Sequence, residues 1–185
     1  MRQFKTLTLR SSATLALLSA LSFSAQAQVS VTEDTSDQIV TSTAGEDGTP
    51  SDVTVDAGAT VTIDSERAGI ILDSDNNLDL AGTVEADNID NVTGVELQGG
   101  ADRSYTQSGS ILLLEDFVAE DTDDDPFPDG PFAEGEGRTG ILISGASPFQ
   151  GNIELEASSI VSVEGNDSFG INLANTPMML SLIHI

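Results

Sequence analysis

A five-residue box returns four times along this chain: Ala68-Gly-Ile-Ile-Leu72, Thr93-Gly-Val-Glu-Leu97, Thr139-Gly-Ile-Leu-Ile143 and Phe169-Gly-Ile-Asn-Leu173. Each box sets a glycine before two apolar residues spaced i, i+2, the pattern of a short strand with one buried face. The glycine predicts entry through a turn of unusual φ. Self-similarity at a fixed period is the mark of a solenoid.

Two further strand-like pairs precede each box. Val53/Val55 and Val61/Ile63 lead to Ile70/Leu72, and Leu78/Leu80 and Val84/Ala86 lead to Val95/Leu97. Tyr105/Gln107 and Ile111/Leu113 precede Ile141/Ile143, while Ile153/Leu155 and Ile160 with Val161/Val163 precede Ile171/Leu173. Three short strands per period predict a coil with three faces. The box glycines Gly69, Gly94, Gly140 and Gly170 are 25, 46 and 30 residues apart, and removing Glu115–Gly137, a 23-residue stretch of different composition, reduces the long gap to 23. The mid-period turn positions Gly58, Gly82, Gly109 and Ser158 are 24, 27 and 49 apart, and the same excision brings the last gap to 26. A period near 25 suits an all-β fold, a parallel β-helix of about four coils over residues 51–175, with an acidic insertion at 115–137. Inward Val, Ile and Leu then form ladders with a rise of about 4.8 Å per coil. An antiparallel sandwich or barrel also shows many short strands, but has no need to repeat a whole three-strand unit. Helical patterning fails, because the apolar pairs alternate and β-branched residues abound.

Ahead of the repeats, Met1–Arg10 is short and basic, Ala13–Phe23 is apolar, and Ala25-Gln26-Ala27 places small residues where a signal peptidase reads. These are the three regions of a secretory signal peptide over residues 1–27, with the mature chain beginning at Gln28. The apolar run is too short and too rich in Ser and Thr for a membrane span of roughly 20 residues. Residues 28–50 read as a polar linker and N-terminal cap, with Val29-Ser-Val31 a candidate edge strand and Thr41–Asp52 a loop.

Charge excludes some partners. The mature chain carries 31 Asp and Glu against three arginines, Arg67, Arg103 and Arg138, a formal charge of −28. Nucleic acid and anionic lipid are repelled by such a surface. Cysteine is absent, so packing and backbone hydrogen bonds must carry the fold without disulfides or thiolate metal sites.

Clustered carboxylates in the insertion, Asp121-Thr-Asp-Asp-Asp125 with Glu134 and Glu136, are of a kind that can chelate Ca²⁺. Pro126 stands where an EF-hand needs its glycine, however, and no Glu occupies the twelfth position. A solvated acidic loop is the favoured reading. Asp73-Ser-Asp-Asn-Asn-Leu-Asp79 fails the same test at Leu78 and reads as a turn between coils. The only histidine is His184, so a Ser-His-Asp arrangement cannot be assembled. Carboxylate pairs of the glycosidase type are plentiful but unspecific among 31 acidic residues. The expectation is therefore a non-enzyme with no catalytic, cofactor-binding or metal-ligating residue assigned.

The last ten residues, 176–185, are apolar and hold neither glycine nor acid. They suggest the point where a longer gene has been cut short. Taken together, the leader ending Ala25-Gln-Ala27, the lack of cysteine, the acidity and the Gly-Ile-x-Leu boxes alternating with Val-x-Val-x-x-Gly turns resemble the passenger region of a Gram-negative autotransporter. The resemblance covers about Gln28–Leu173 and rests on degenerate repeats. It implies a right-handed β-helix displayed at the cell surface or released, with a structural or adhesive role toward cell-surface or carbohydrate ligands. It also implies two partners, a C-terminal β-barrel beyond residue 185 and the outer-membrane assembly machinery. Residues 1–185 contain no series of barrel strands. Two alternatives stay open: a secreted carbohydrate-active helix using carboxylates, and a Ca²⁺-stabilised extracellular repeat protein.

Overall fold

A computed structural model describes residues 28–174 except 124, 126 and 128. The signal peptide expected at 1–27 and the atypical tail at 176–185, including His184, lie outside the described residues.

The described residues are all-β, with twelve strands and one 3-10 turn at Glu46–Gly48 among them. Every strand pairing among the described residues is parallel. That pattern departs from an antiparallel sandwich.

Three faces recur in chain order. The first runs through β1 (Gln28–Val31), β3 (Asp52–Val55), β6 (Leu78–Leu80) and the second half of β8 (Thr93–Gln107), and ends on the second half of β10 (Thr139–Leu155). The second is a four-stranded sheet of β4 (Thr60–Thr62), β7 (Thr83–Asp87), β9 (Ser110–Leu114) and β11 (Ile160–Val163). The third stacks β2 (Ile39–Val40), β5 (Ala68–Leu72), the first halves of β8 and β10, and β12 (Phe169–Leu173).

Register sets the core. Ile39, Ile70, Val95, Ile141 and Ile171 are successive Cα partners, so the four boxes lie in one column. Val95 and Ile141 pair directly although the insertion separates them in sequence, because the chain leaves after Leu114 and rejoins at Thr139. Facing columns come from Val61, Val84, Ile111 and Val161, and from Val53, Leu78, Tyr105 and Ile153. Ile70, Val95 and Ile111 are completely buried, each contributing about 1.5–3 kcal/mol through removal of its side chain from water. Alternation in sequence is thus the imprint of a strand whose every second side chain meets this core.

Three details differ from the sequence reading. The box glycines do not adopt positive φ. At the two central boxes space requires glycine: a Cβ on Gly94 would lie 2.6 Å from Ile111 Cγ2 and 2.7 Å from the carbonyl oxygen of Gly140. A Cβ on Gly140 would meet Val161 at 2.5 Å and the carbonyl oxygen of Gly170 at 2.6 Å. Gly94 and Gly140 therefore admit both the next box and the facing sheet, Gly69 is tight at 3.1 Å from the Gly94 carbonyl oxygen, and Gly170 meets only Val161 at 4.0 Å. Second, β8 and β10 continue through the corner after the box instead of breaking there, with irregular register between Ser144 and Gly151. Third, Ile39-Val40, left unassigned above, forms β2 and pairs with β5. With the Thr35–Val61 bridge and β1, residues 28–40 meet all three faces.

A buried polar pair, Tyr105 and Gln107, sits within the core. The Tyr105 hydroxyl donates to Gln107 Oε1 at 2.8 Å, and Gln107 Nε2 donates to the carbonyls of Gly109 and Ile160 at 3.1 and 3.0 Å. Both side chains are fully buried, and their mutual satisfaction removes the desolvation cost that an orphaned amide would carry. Burial pushes the Tyr105 phenol above its ordinary pKa.

Candidate functional site

The feature that departs from the stacked columns is the excursion between β9 and β10. Its composition explains the departure: residues 115–137 hold ten Asp and Glu, no Lys or Arg, and several Pro and Gly, so no periodic apolar face is available to join the core.

Arg138 anchors its base. The side chain is 1% exposed and donates to the carbonyls of Ile89 and Glu164 at 2.9 and 3.0 Å. It also pairs with Glu115 Oε2 at 3.2 Å and Asp90 Oδ1 at 3.3 Å. Glu115 opens the insertion, and its carboxylate additionally accepts the N–H groups of Gly135 at 2.6 Å and Glu134 at 3.3 Å. One Arg–Glu pair thus ties the two ends of the excursion together, while Ile89 and Glu164 belong to the corners on either side. Burial alone would raise the Glu115 pKa. The Gly135 N–H, the Arg138 guanidinium and the Glu134 N–H outweigh it and hold the carboxyl below the ordinary range.

Beside this anchor lies a groove of about 450 Å³, lined by Phe117, Phe132, Ala133, Gly165 and Asn166 with Glu115 and Glu164. Both of its carboxylates are already hydrogen-bonded to backbone, Glu164 accepting the Glu115 N–H at 2.9 Å. On the groove wall Phe132 is 73% exposed, and beyond the groove Val118 and Phe127 are 80% and 71% exposed.

The insertion brings three of its carboxylates together. Asp121, Asp123 and Asp129 place ligand atoms within 4.8 Å of one another, and among the described residues they are the ones best placed to hold a cation. Asp129 comes from outside the acidic run singled out in the sequence. Its carboxylate accepts the Thr122 hydroxyl and the Thr122 N–H, the latter at 2.9 Å, and these bonds hold its pKa below the ordinary value. Asp121 and Asp123 accept N–H groups two residues ahead. Glu134 and Glu136 lie elsewhere; the Glu136 N–H donates to Asp90.

The second acidic stretch, Asp73–Asp79, spans the turn after β5 and the first two residues of β6. Asp73 accepts from Ser42 and Thr41, and Asn77 Oδ1 accepts the Ser104 N–H and hydroxyl at 2.9 and 2.8 Å. These side chains hold neighbouring corners in place.

Arg103 and Arg138 were legible only as rare cations. Arg103, 5% exposed, donates to the Leu72 carbonyl at 3.0 Å and sits 5.8 Å from the Phe149 ring centroid. The signal for Arg138 was faint: opposite charges, Glu115 and Arg138, at the two edges of a composition break.

No protein family, curated protein or solved structure matches this chain.

Proposed function

We propose that this chain is a structural or adhesive passenger of the autotransporter kind, a right-handed parallel β-helix exported behind the leader at 1–27 and exposed at the cell surface or released. The segment acts by presentation, not by catalysis. The observation that supports this best is the column Ile39–Ile70–Val95–Ile141–Ile171, in which consecutive rounds of the chain pair in parallel through the same residue positions. A chain stacked in this way can fold by propagation from one end after crossing a membrane. The lack of cysteine and the acidic surface suit the same route, since the unfolded chain stays soluble and forms no premature disulfides. The acidic excursion is the element such a scaffold would hold away from its columns.

The test is an epitope placed after Asp129 in the natural gene, expressed in a Gram-negative host. Antibody labelling and loss of the epitope to protease on intact cells is the expected result. An epitope protected until the cells are lysed contradicts surface exposure.

A further inference from the structure

We infer that the aromatic groove at the base of the acidic insertion is a docking surface for a basic polypeptide segment carrying aliphatic side chains. The inference stands on the insertion alone and does not depend on export or surface display.

Its first support is where the phenylalanines are. The columns are built from Ile, Val and Leu with Tyr105, and the one phenylalanine among the buried core residues is Phe149. Three of the seven phenylalanines, Phe117, Phe127 and Phe132, fall within the 23-residue insertion. Two of those three are more than 70% exposed, and Val118 adds a third exposed apolar side chain. Large apolar side chains that contribute nothing to the core, gathered on one excursion, mark an interaction surface. Aromatic residues are the type that dominates binding energy at such surfaces.

The second support is charge complementarity. Ten carboxylates and no cation occupy residues 115–137, and the adjoining cation, Arg138, is buried beneath them and satisfied. The potential over the groove is therefore negative, which steers cations inward. Exposed rings among carboxylates suit a partner in which lysine or arginine alternates with aliphatic residues, because the cations meet both carboxylates and ring faces. A polypeptide fits better than a small cation, since the exposed rings extend from the groove wall at Phe132 to Phe127 beyond it. The anchor made by Glu115 and Arg138 fixes the floor of the groove, so the surface is held on a rigid support.

The probe is a fluorescent ten-residue peptide of alternating lysine and leucine, titrated into the full chain and followed by anisotropy. Lysine–serine and glutamate–leucine peptides of the same length are the controls. The lysine–leucine peptide is expected to bind, the F127S/F132S variant to weaken it about tenfold, and 0.5 M salt to weaken it further. Both side chains are exposed, so that variant keeps the parent melting temperature, which circular dichroism verifies. Four results overturn the inference: no binding, equal binding by F127S/F132S, equal binding of the lysine–serine peptide, or equal binding of the glutamate–leucine peptide. Ring-dependent binding to zwitterionic lipid vesicles with none to the peptide also overturns it, assigning the rings to a membrane.

Discussion

Removing the Arg138 guanidinium tests how the insertion is joined to the stacked strands. In Arg138→Ala the carbonyls of Ile89 and Glu164 lose a charged donor, and Glu115, 7% exposed, loses its cation. Breaking a buried ion pair costs about 3–5 kcal/mol. Glu115 keeps the Gly135 and Glu134 N–H groups, and the contact to the 44%-exposed Asp90 is worth little. The lower end, about 3 kcal/mol, is therefore expected, equivalent to a fall in Tm of about 6–12 °C for a chain of this size. Arg138→Lys restores the charge but not the fork that reaches two carbonyls and two carboxylates, so it recovers only part of the loss. Arg67→Ala is the control: its pair with Asp64 at 2.9 Å is partly exposed and its removal costs about 0–1 kcal/mol. Denaturant unfolding followed by far-ultraviolet circular dichroism measures all three. Equal stability of Arg138→Ala and Arg67→Ala would refute the anchor.

Gly94→Ala, whose new methyl would press on Ile111 and the Gly140 carbonyl, is expected to destabilise by about 1–3 kcal/mol in the same assay; an unchanged Tm contradicts close stacking at the box. Because the folded-state pKa of Glu115 is depressed, its contribution is fully present above the unfolded carboxyl pKa of about 4.3 and is lost as pH falls through the lower folded value. The stability gap between wild type and Glu115→Gln should therefore be constant from pH 7 to about 5 and close at more acidic pH, whereas a gap that persists at pH 2 argues against the ionised pair. Chelator is expected to leave Tm unchanged, because Asp121, Asp123 and Asp129 are engaged by the loop's own N–H and hydroxyl groups; a fall of several degrees, reversed by Ca²⁺, would favour the cation-stabilised alternative.

What could be read in the sequence is what one-dimensional alternation records. Ile70, Val95, Ile141 and Ile171 announce their shared column because each is followed two residues later by another aliphatic on the same strand face. The insertion was legible for the converse reason, since its composition offers no such face. The function of the box glycines was not legible. Tolerance of positive φ and a lack of room for a Cβ look identical in a sequence, and only the nearness of Ile111 and Gly140 separates them. The strand at Ile39-Val40 is two residues long in polar surroundings, too short for periodicity to register. Arg138 draws partners from residues 89, 90, 115 and 164, and a contact set assembled across rounds leaves no local pattern. Asp129 joins Asp121 and Asp123 through the path of the loop, which charge spacing does not specify.

The parallel columns are tested most directly by cysteine cross-linking, for which a chain without cysteine gives no background. Glu96 and Leu142 are Cα partners although the insertion lies between them in sequence, and adjacent parallel strands lie about 4.8 Å apart, within disulfide reach. The double variant E96C/L142C is predicted to form an intramolecular disulfide under mild oxidation, while E96C/L112C, which joins strands of different sheets, stays reduced. A reduced E96C/L142C, or equal oxidation of the two variants, would contradict the stacking of successive rounds.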